Sequence, residues 1–171
     1  MSGVLGGVHS FLETGGPVLW LIGFAAFLLA ALTIERYWYI HRNYPGEMGQ
    51  LVRGWCDRPE RHSWSALRIR EAMISDAQVR LSRTLPVIRL LVALCPMLGL
   101  LGTVTGMMGV FDVIAILGTG NARAMASGIS KATIPTMAGM MVAIPGLYFR
   151  VDLQREVRSR VGQLADRLTL D

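Results

Sequence analysis

Apolar and charged positions in this chain are laid out in long blocks, not in short alternations. Residues 14–34, 90–111 and 132–149 contain no charged side chain. All 29 Lys, Arg, Asp and Glu residues fall on the other 110 positions, where their density matches that of a soluble protein. At 1.5 Å per helical residue, the first uncharged block from Pro17 reaches about 27 Å, close to the roughly 30 Å hydrocarbon core of a bilayer. The pattern predicts three helical membrane spans joined by water-exposed segments, and it argues against a uniformly soluble globule.

The charged blocks also show helical order. The first span ends at Glu35-Arg36-Tyr37-Trp38-Tyr39, a charged aromatic cluster suited to a membrane interface. After Ser63, an N-cap residue type, Leu67, Ile74, Leu81 and Ile88 recur every seventh position. A helix running from there through the second span would cover 64–111, about 72 Å, so part of it must project out of the membrane; Pro86 is a kink position. Val157, Val161, Leu164 and Leu168 form a second stripe, and the two stripes call for each other or for neighbouring subunits as partners. Pro45, Gly46, Gly54 and Pro59 mark residues 43–62 as a connecting turn region. Near the start, Val4, Leu5, Val8, Phe11 and Leu12 have the spacing of an interfacial amphipathic helix, which Gly3, Gly6 and Gly7 weaken.

Charge sets the orientation. The net charge is +5, and 16 of the 17 basic residues are Arg, with Lys131 the single Lys. Eight Arg lie in 41–86 and five in 150–171, while none lies in 1–16. The positive-inside rule puts the N-terminus outside and both Arg-rich segments in the cytoplasm. Because the arginines flank apolar spans, membrane topology explains them better than nucleic-acid binding. Cys56 and Cys95, and His9, His41 and His62, are scattered, with no disulfide framework or metal-ligand spacing. There is no nucleophile–base pair and no phosphate loop, so an enzyme is not expected, nor is a cofactor or metal.

The second and third spans carry the informative residues. Gly102 and Gly106 form a GxxxG pair, the small-residue spacing that lets helices approach closely in lipid. Thr103 and Thr105 are not needed for such packing. They either bond back to their own helix or line a polar path. Leu98-Gly99-Leu100-Leu101-Gly102-Thr103-Val104-Thr105-Gly106 with Phe111, then Gly128-Ile129-Ser130 and Ala143-Ile144-Pro145, resembles the MotA/TolQ/ExbB proton-channel family, best its ExbB branch. The likeness runs from about Leu81 to Phe149, and Gly15-Gly16-Pro17 also fits that branch.

The resemblance implies an all-α integral membrane protein: three long transmembrane helices extending into the cytoplasm, assembled as a homopentamer around a central channel. It implies a periplasmic segment 1–15, spans at 16–40, 87–117 and 122–150, a cytoplasmic helical segment 41–86, an outer turn 118–121 with Asn121 as cap, and a cytoplasmic C-terminal helix 151–171. The location is the inner membrane of a Gram-negative bacterium. The partners are an ExbD-like protein, whose transmembrane helix bears a protonatable aspartate, and a TonB-like protein serving outer-membrane receptors. Thr103 and Thr136 match the two family threonines that face the channel. Gly99, Gly102, Gly106, Pro135, Gly139 and Pro145 are expected to shape and pack the helices, with Pro135 aiming Thr136. The conspicuous departure is Lys131, where many ExbB-type chains have glutamate; a relay through that carboxylate cannot operate here. Lys131 falls in or near the membrane as a candidate proton-pathway residue. It is expected either to pair with Asp112, within or between subunits, or to snorkel to the outer interface. A TolQ-like role in envelope integrity and a passive membrane scaffold are the rival functions.

Overall fold

A computed structural model describes residues 16–58, 60, 63–117 and 122–168. The N-terminal amphipathic segment, the 118–121 turn and the Asn121 cap lie outside these residues. The described residues are helical in five α-segments: α1 (Gly16–Trp38), α2 (Tyr44–Cys56), α3 (Trp64–Ser82), α4 (Leu85–Leu117) and α5 (Ala122–Arg167). A π-helical turn, Tyr39–Asn43, joins α1 to α2. Three runs are long and apolar enough to cross a membrane: Gly16–Cys56, Trp64–Ile116 and Met125–Arg167.

Local chemistry accounts for the boundaries. The Ser63 side chain accepts from the Ala66 N–H at 3.3 Å and caps α3. Residues 83 and 84 interrupt the helix between α3 and α4, and Pro86 follows in the first turn of α4, where its missing N–H costs nothing. The break therefore falls just before the proline expected to kink it. The 44–56 part of the expected turn region is instead helical. Pro45 stands at the start of α2, a position that tolerates proline. The preceding Tyr44 N–H reaches back to the Tyr39 carbonyl in an i→i+5 bond, so the chain absorbs the proline as a π turn without leaving the helix.

The chain divides into two compact units, one of residues 1–30 and 90–147, the other of 31–89 and 148–171. In the first, Val18, Leu19 and Ile22 of α1 are buried against Leu98 of α4 and Ile134, Ala138 and Val142 of α5. Large apolar side chains such as Trp20, Phe24, Phe27, Met108 and Ile144 point outward, the reverse of a water-soluble surface. In the second unit the buried set is Ile40, Tyr44, Met48, Trp55, Ala66, Ala77, Leu81, Ile88, Leu153, Val157, Leu164 and Leu168. Of the expected α3 stripe, Leu81 and the neighbouring Ala77 are buried and Ile74 is partly buried; only Leu67 departs, being exposed while Ala66 beside it is buried. Arg70 of α3 donates to the carbonyls of Ala165 (2.8 Å) and Leu168 (2.7 Å), closing the C-terminal end of α5. Helix α3 and the end of α5 therefore meet within one chain. Tyr37 donates to the Asp152 carboxylate in the same unit.

The threonine edge of the α4–α5 seam

In the membrane-type unit, α4 and α5 are joined by a seam of small residues. A Cβ on Gly102 would fall 2.4 Å from the Pro135 Cβ, one on Gly106 2.6 Å from the Ala132 Cα, and one on Gly139 2.5 Å from the Cys95 carbonyl oxygen. On Gly99 it would meet the Thr136 Cα at 3.0 Å, and on Gly128 the Val110 side chain at 2.4 Å. Gly146 is closed in by Leu29 and Val92. At Gly102, Gly106 and Gly139 an added Cβ would force its neighbour to shift, and at Gly99 it would fit only tightly. Pro135 is fully buried in the seam as the knob facing Gly102, and Pro145 is exposed.

These contacts fix an antiparallel register, Gly99 to Thr136, Gly102 to Pro135, Gly106 to Ala132 and Val110 to Gly128. Each helical step turns about 100°. Thr103 follows Gly102, and Thr136 follows Pro135, by one step each. In an antiparallel right-handed pair these two steps turn to the same side of the seam. The register also sets the two threonines about 3–6 Å apart in depth. Met107 and Met140, both exposed, lie farther round on that side.

Both hydroxyls are already engaged as donors. Thr103 Oγ1 donates to the Leu100 carbonyl at 2.7 Å, and Thr136 Oγ1 donates across the seam to the Gly99 carbonyl at 3.1 Å. Local backbone bonding, the rival use of these residues, is therefore real at Thr103, while Thr136 ties two helices together. Neither bond uses the oxygen's own lone pairs, so each hydroxyl still presents an acceptor. Thr105 donates to Leu101 and Gly102, both at 3.1 Å.

Lys131 is on the other side of the seam. With Thr105, Ser127, Gly102, Gly106, Gly109 and the Gly16–Pro17–Val18 start of α1, it lines a cavity of about 530 Å³. Asp112, two turns beyond Thr105, points to that same side by the 100° rule and is exposed. The register leaves the two about five residues, or about 7.5 Å, apart in depth. Among the ion pairs of the described residues none joins Lys131 to Asp112 within the subunit. Lys131 is not brought together with Thr103 and Thr136.

One residue escaped the sequence analysis. Arg36, placed there in an interfacial cluster, is 4% exposed, lies 5.0 Å over the Tyr39 ring and donates to the Arg80 carbonyl. Its Nε has no partner. No composition or spacing signal separates it from the 15 other arginines. Among the described residues, no group of three His, Cys, Asp or Glu side chains converges as a metal site would.

A sequence model described as the MotA/TolQ/ExbB proton channel family matches residues 48–166. The biopolymer transport protein ExbB-like 1 of Synechocystis is 46% identical over 85 residues, which cover 47% of this chain and 34% of that protein. The protein of the same name from Helicobacter pylori is 37% identical over 73 residues (43% and 39%), and the biopolymer transport protein ExbB of Salmonella typhimurium 36% over 74 (43% and 30%). The matched stretches span about a third of these relatives' own lengths. An all-helical chain with three membrane-length apolar runs, a glycine seam and a family match over most of its length belongs to the MotA/TolQ/ExbB proton channel family, on its ExbB branch.

Proposed function

We propose that this chain is the channel subunit, not an enzyme, of an inner-membrane motor of ExbB–ExbD type. Five copies surround a guest transmembrane helix carrying a protonatable aspartate, and the proton-motive force drives a TonB-like protein. The observation that supports this reading best is the shared edge of Thr103 and Thr136, close in depth and with both donors spent. A ring of such pairs offers acceptors in an apolar wall. Acceptors favour a neutral carboxylic acid, which has an O–H to donate, over a carboxylate, which has none. The guest acid would therefore cross the belt protonated and release its proton on the Arg-rich side. The membrane potential supplies about 2.3 kcal/mol per charge per 100 mV to such a cycle.

Lys131 is opposite in charge to the glutamate of many relatives, so on this reading the proton-carrying carboxyl comes from the guest. The Lys131 cavity and Asp112 fall on the side of the seam away from Thr103 and Thr136. They act by pairing with each other, through side-chain movement or between neighbouring copies.

The test is proton flux in liposomes and TonB-dependent uptake in cells, with Thr103→Val, Thr136→Val and Thr105→Val compared. Loss of about tenfold or more at Thr103 and Thr136, with Thr105→Val close to wild type, is expected. Equal activity in all three variants would leave a passive scaffold as the better account. Full flux combined with rescue of envelope integrity, not uptake, would move the assignment to a TolQ-like machine.

A further inference from the structure

Where the uncharged blocks of α4 and α5 end, Arg89 directly precedes Leu90 and Arg150 directly follows Phe149. The two arginines line one cleft of about 240 Å³ with Ser82, Gln154, Leu85 and Pro86. No carboxylate lines it. The nearby acids are engaged elsewhere: Asp152 accepts from Tyr37, and Glu156 pairs with Arg160 at 2.8 Å. Arg80 pairs with Asp76 and Arg70 with two carbonyls, whereas no hydrogen bond or ion pair to Arg89 or Arg150 is found among the described residues. The Ser82 hydroxyl proton is taken by the Gln78 carbonyl at 2.7 Å, so the neutral donor of the cleft is the amide of Gln154.

The cleft is thus cationic and donor-rich, apolar on its Leu85–Pro86 wall, and set at the boundary of the hydrocarbon-length blocks. A ligand with a compact anion, hydroxyl groups and apolar chains fits all three properties. We propose that this cleft binds the phosphate headgroup of an anionic phospholipid of the phosphatidylglycerol or cardiolipin class, with its chains lying along the adjoining spans. On the topology of the proposed function, the lipid belongs to the cytoplasmic leaflet. The bound lipid would fasten the start of α4 to α5 where the membrane ends.

The test uses the full-length chain with its partner in phosphatidylcholine nanodiscs doped with phosphatidylglycerol, and native mass spectrometry counts retained lipid. Wild type retains phosphatidylglycerol over phosphatidylcholine. R89Q and R150Q each lower that preference about fivefold and the double variant about 30-fold, the effect of about 1 kcal/mol for each cation at a membrane surface. R158Q, an exposed arginine outside the cleft, leaves the preference unchanged, and R89K/R150K keeps most of it. If the double glutamine variant fails to assemble, photoactivatable phosphatidylglycerol on wild-type protein decides: crosslinks to 82–89 and 150–154 uphold the site, and crosslinks only elsewhere overturn it. Unchanged lipid retention in R89Q/R150Q overturns the proposal. So does an equal loss in R158Q, which would mean general surface charge, or displacement of the lipid by inorganic phosphate, which would mean a free-anion pocket. The proton-flux experiment does not bear on this result, so either proposal can fail alone.

Discussion

Lys131 and Arg36 show how differently one cation can be used. Lys131 is exposed on the wall of a glycine-lined cavity, with Asp112 on the same side of the seam. If the two pair functionally, Lys131→Met and Asp112→Asn each lower TonB-dependent uptake several-fold, and the exchange Lys131→Asp with Asp112→Lys restores part of it. Wild-type uptake in both single variants would show that the charges have no role. Arg36 is buried, with one guanidinium nitrogen unsatisfied. Deleting its volume is therefore costlier than deleting its charge. Arg36→Ala is expected to lower stability by about 2–4 kcal/mol, and Arg36→Met by less than about 1 kcal/mol, in thermal unfolding of the detergent-solubilised protein. A larger loss in Arg36→Met than in Arg36→Ala would mean that the bond to the Arg80 carbonyl, not packing, is what the site needs.

At the level of the helices, the seam depends on which glycine is touched. A Cβ added to Gly106 would fall 2.6 Å from the α5 backbone, and one added to Gly109, three residues on, would meet nothing within 4 Å in the subunit. Gly106→Ala is expected to destabilise by about 1–3 kcal/mol through forced separation of the helices. Gly109→Ala should be neutral or stabilising by up to about 1 kcal/mol from helix propensity. Melting temperatures in one detergent separate the two, and equal losses would place another copy against Gly109. Separation of α4 from α5 would also stretch the Thr136–Gly99 bond, so Gly106→Ala should reduce proton flux even where the protein still folds. The same comparison shows how much of the seam was legible. The GxxxG spacing of Gly102 and Gly106 announces close packing, but Pro135 as the knob facing Gly102 has no sequence signature, because proline inside a span usually suggests a bend. The burial of Ala66 in place of Leu67 at the start of α3 has a related cause. A small residue is buried where two helices come close, and hydrophobicity alone ranks the larger leucine first.

For the whole molecule, the uneven placement of arginine predicts which side of the membrane each unit faces. Cys56 is exposed in the Arg-rich unit, and Cys95 is buried in the membrane-type unit. A membrane-impermeant maleimide is expected to label Cys56 in inside-out vesicles and not in intact spheroplasts, with Cys95 unlabelled in both. Labelling of Cys56 in spheroplasts would reverse the orientation and with it the direction of the proposed proton release.

The amino-acid sequence by itself determined the architecture at low resolution: three apolar runs, the helical stripes between them, the Ser63 cap and the family. Those properties follow from composition and period along one dimension, because hydrocarbon thickness and helical rise convert residue counts directly into spans. The tertiary structure decided what depends on register between distant segments. It set Thr103 and Thr136 on one edge, turned Lys131 to the other, buried Arg36, and gathered Arg89 and Arg150 into one cleft. Periodicity states which residues share a face of one helix. It carries no information on how far one helix slides along the next, and that offset comes from glycines and a proline fitting together at ångström range.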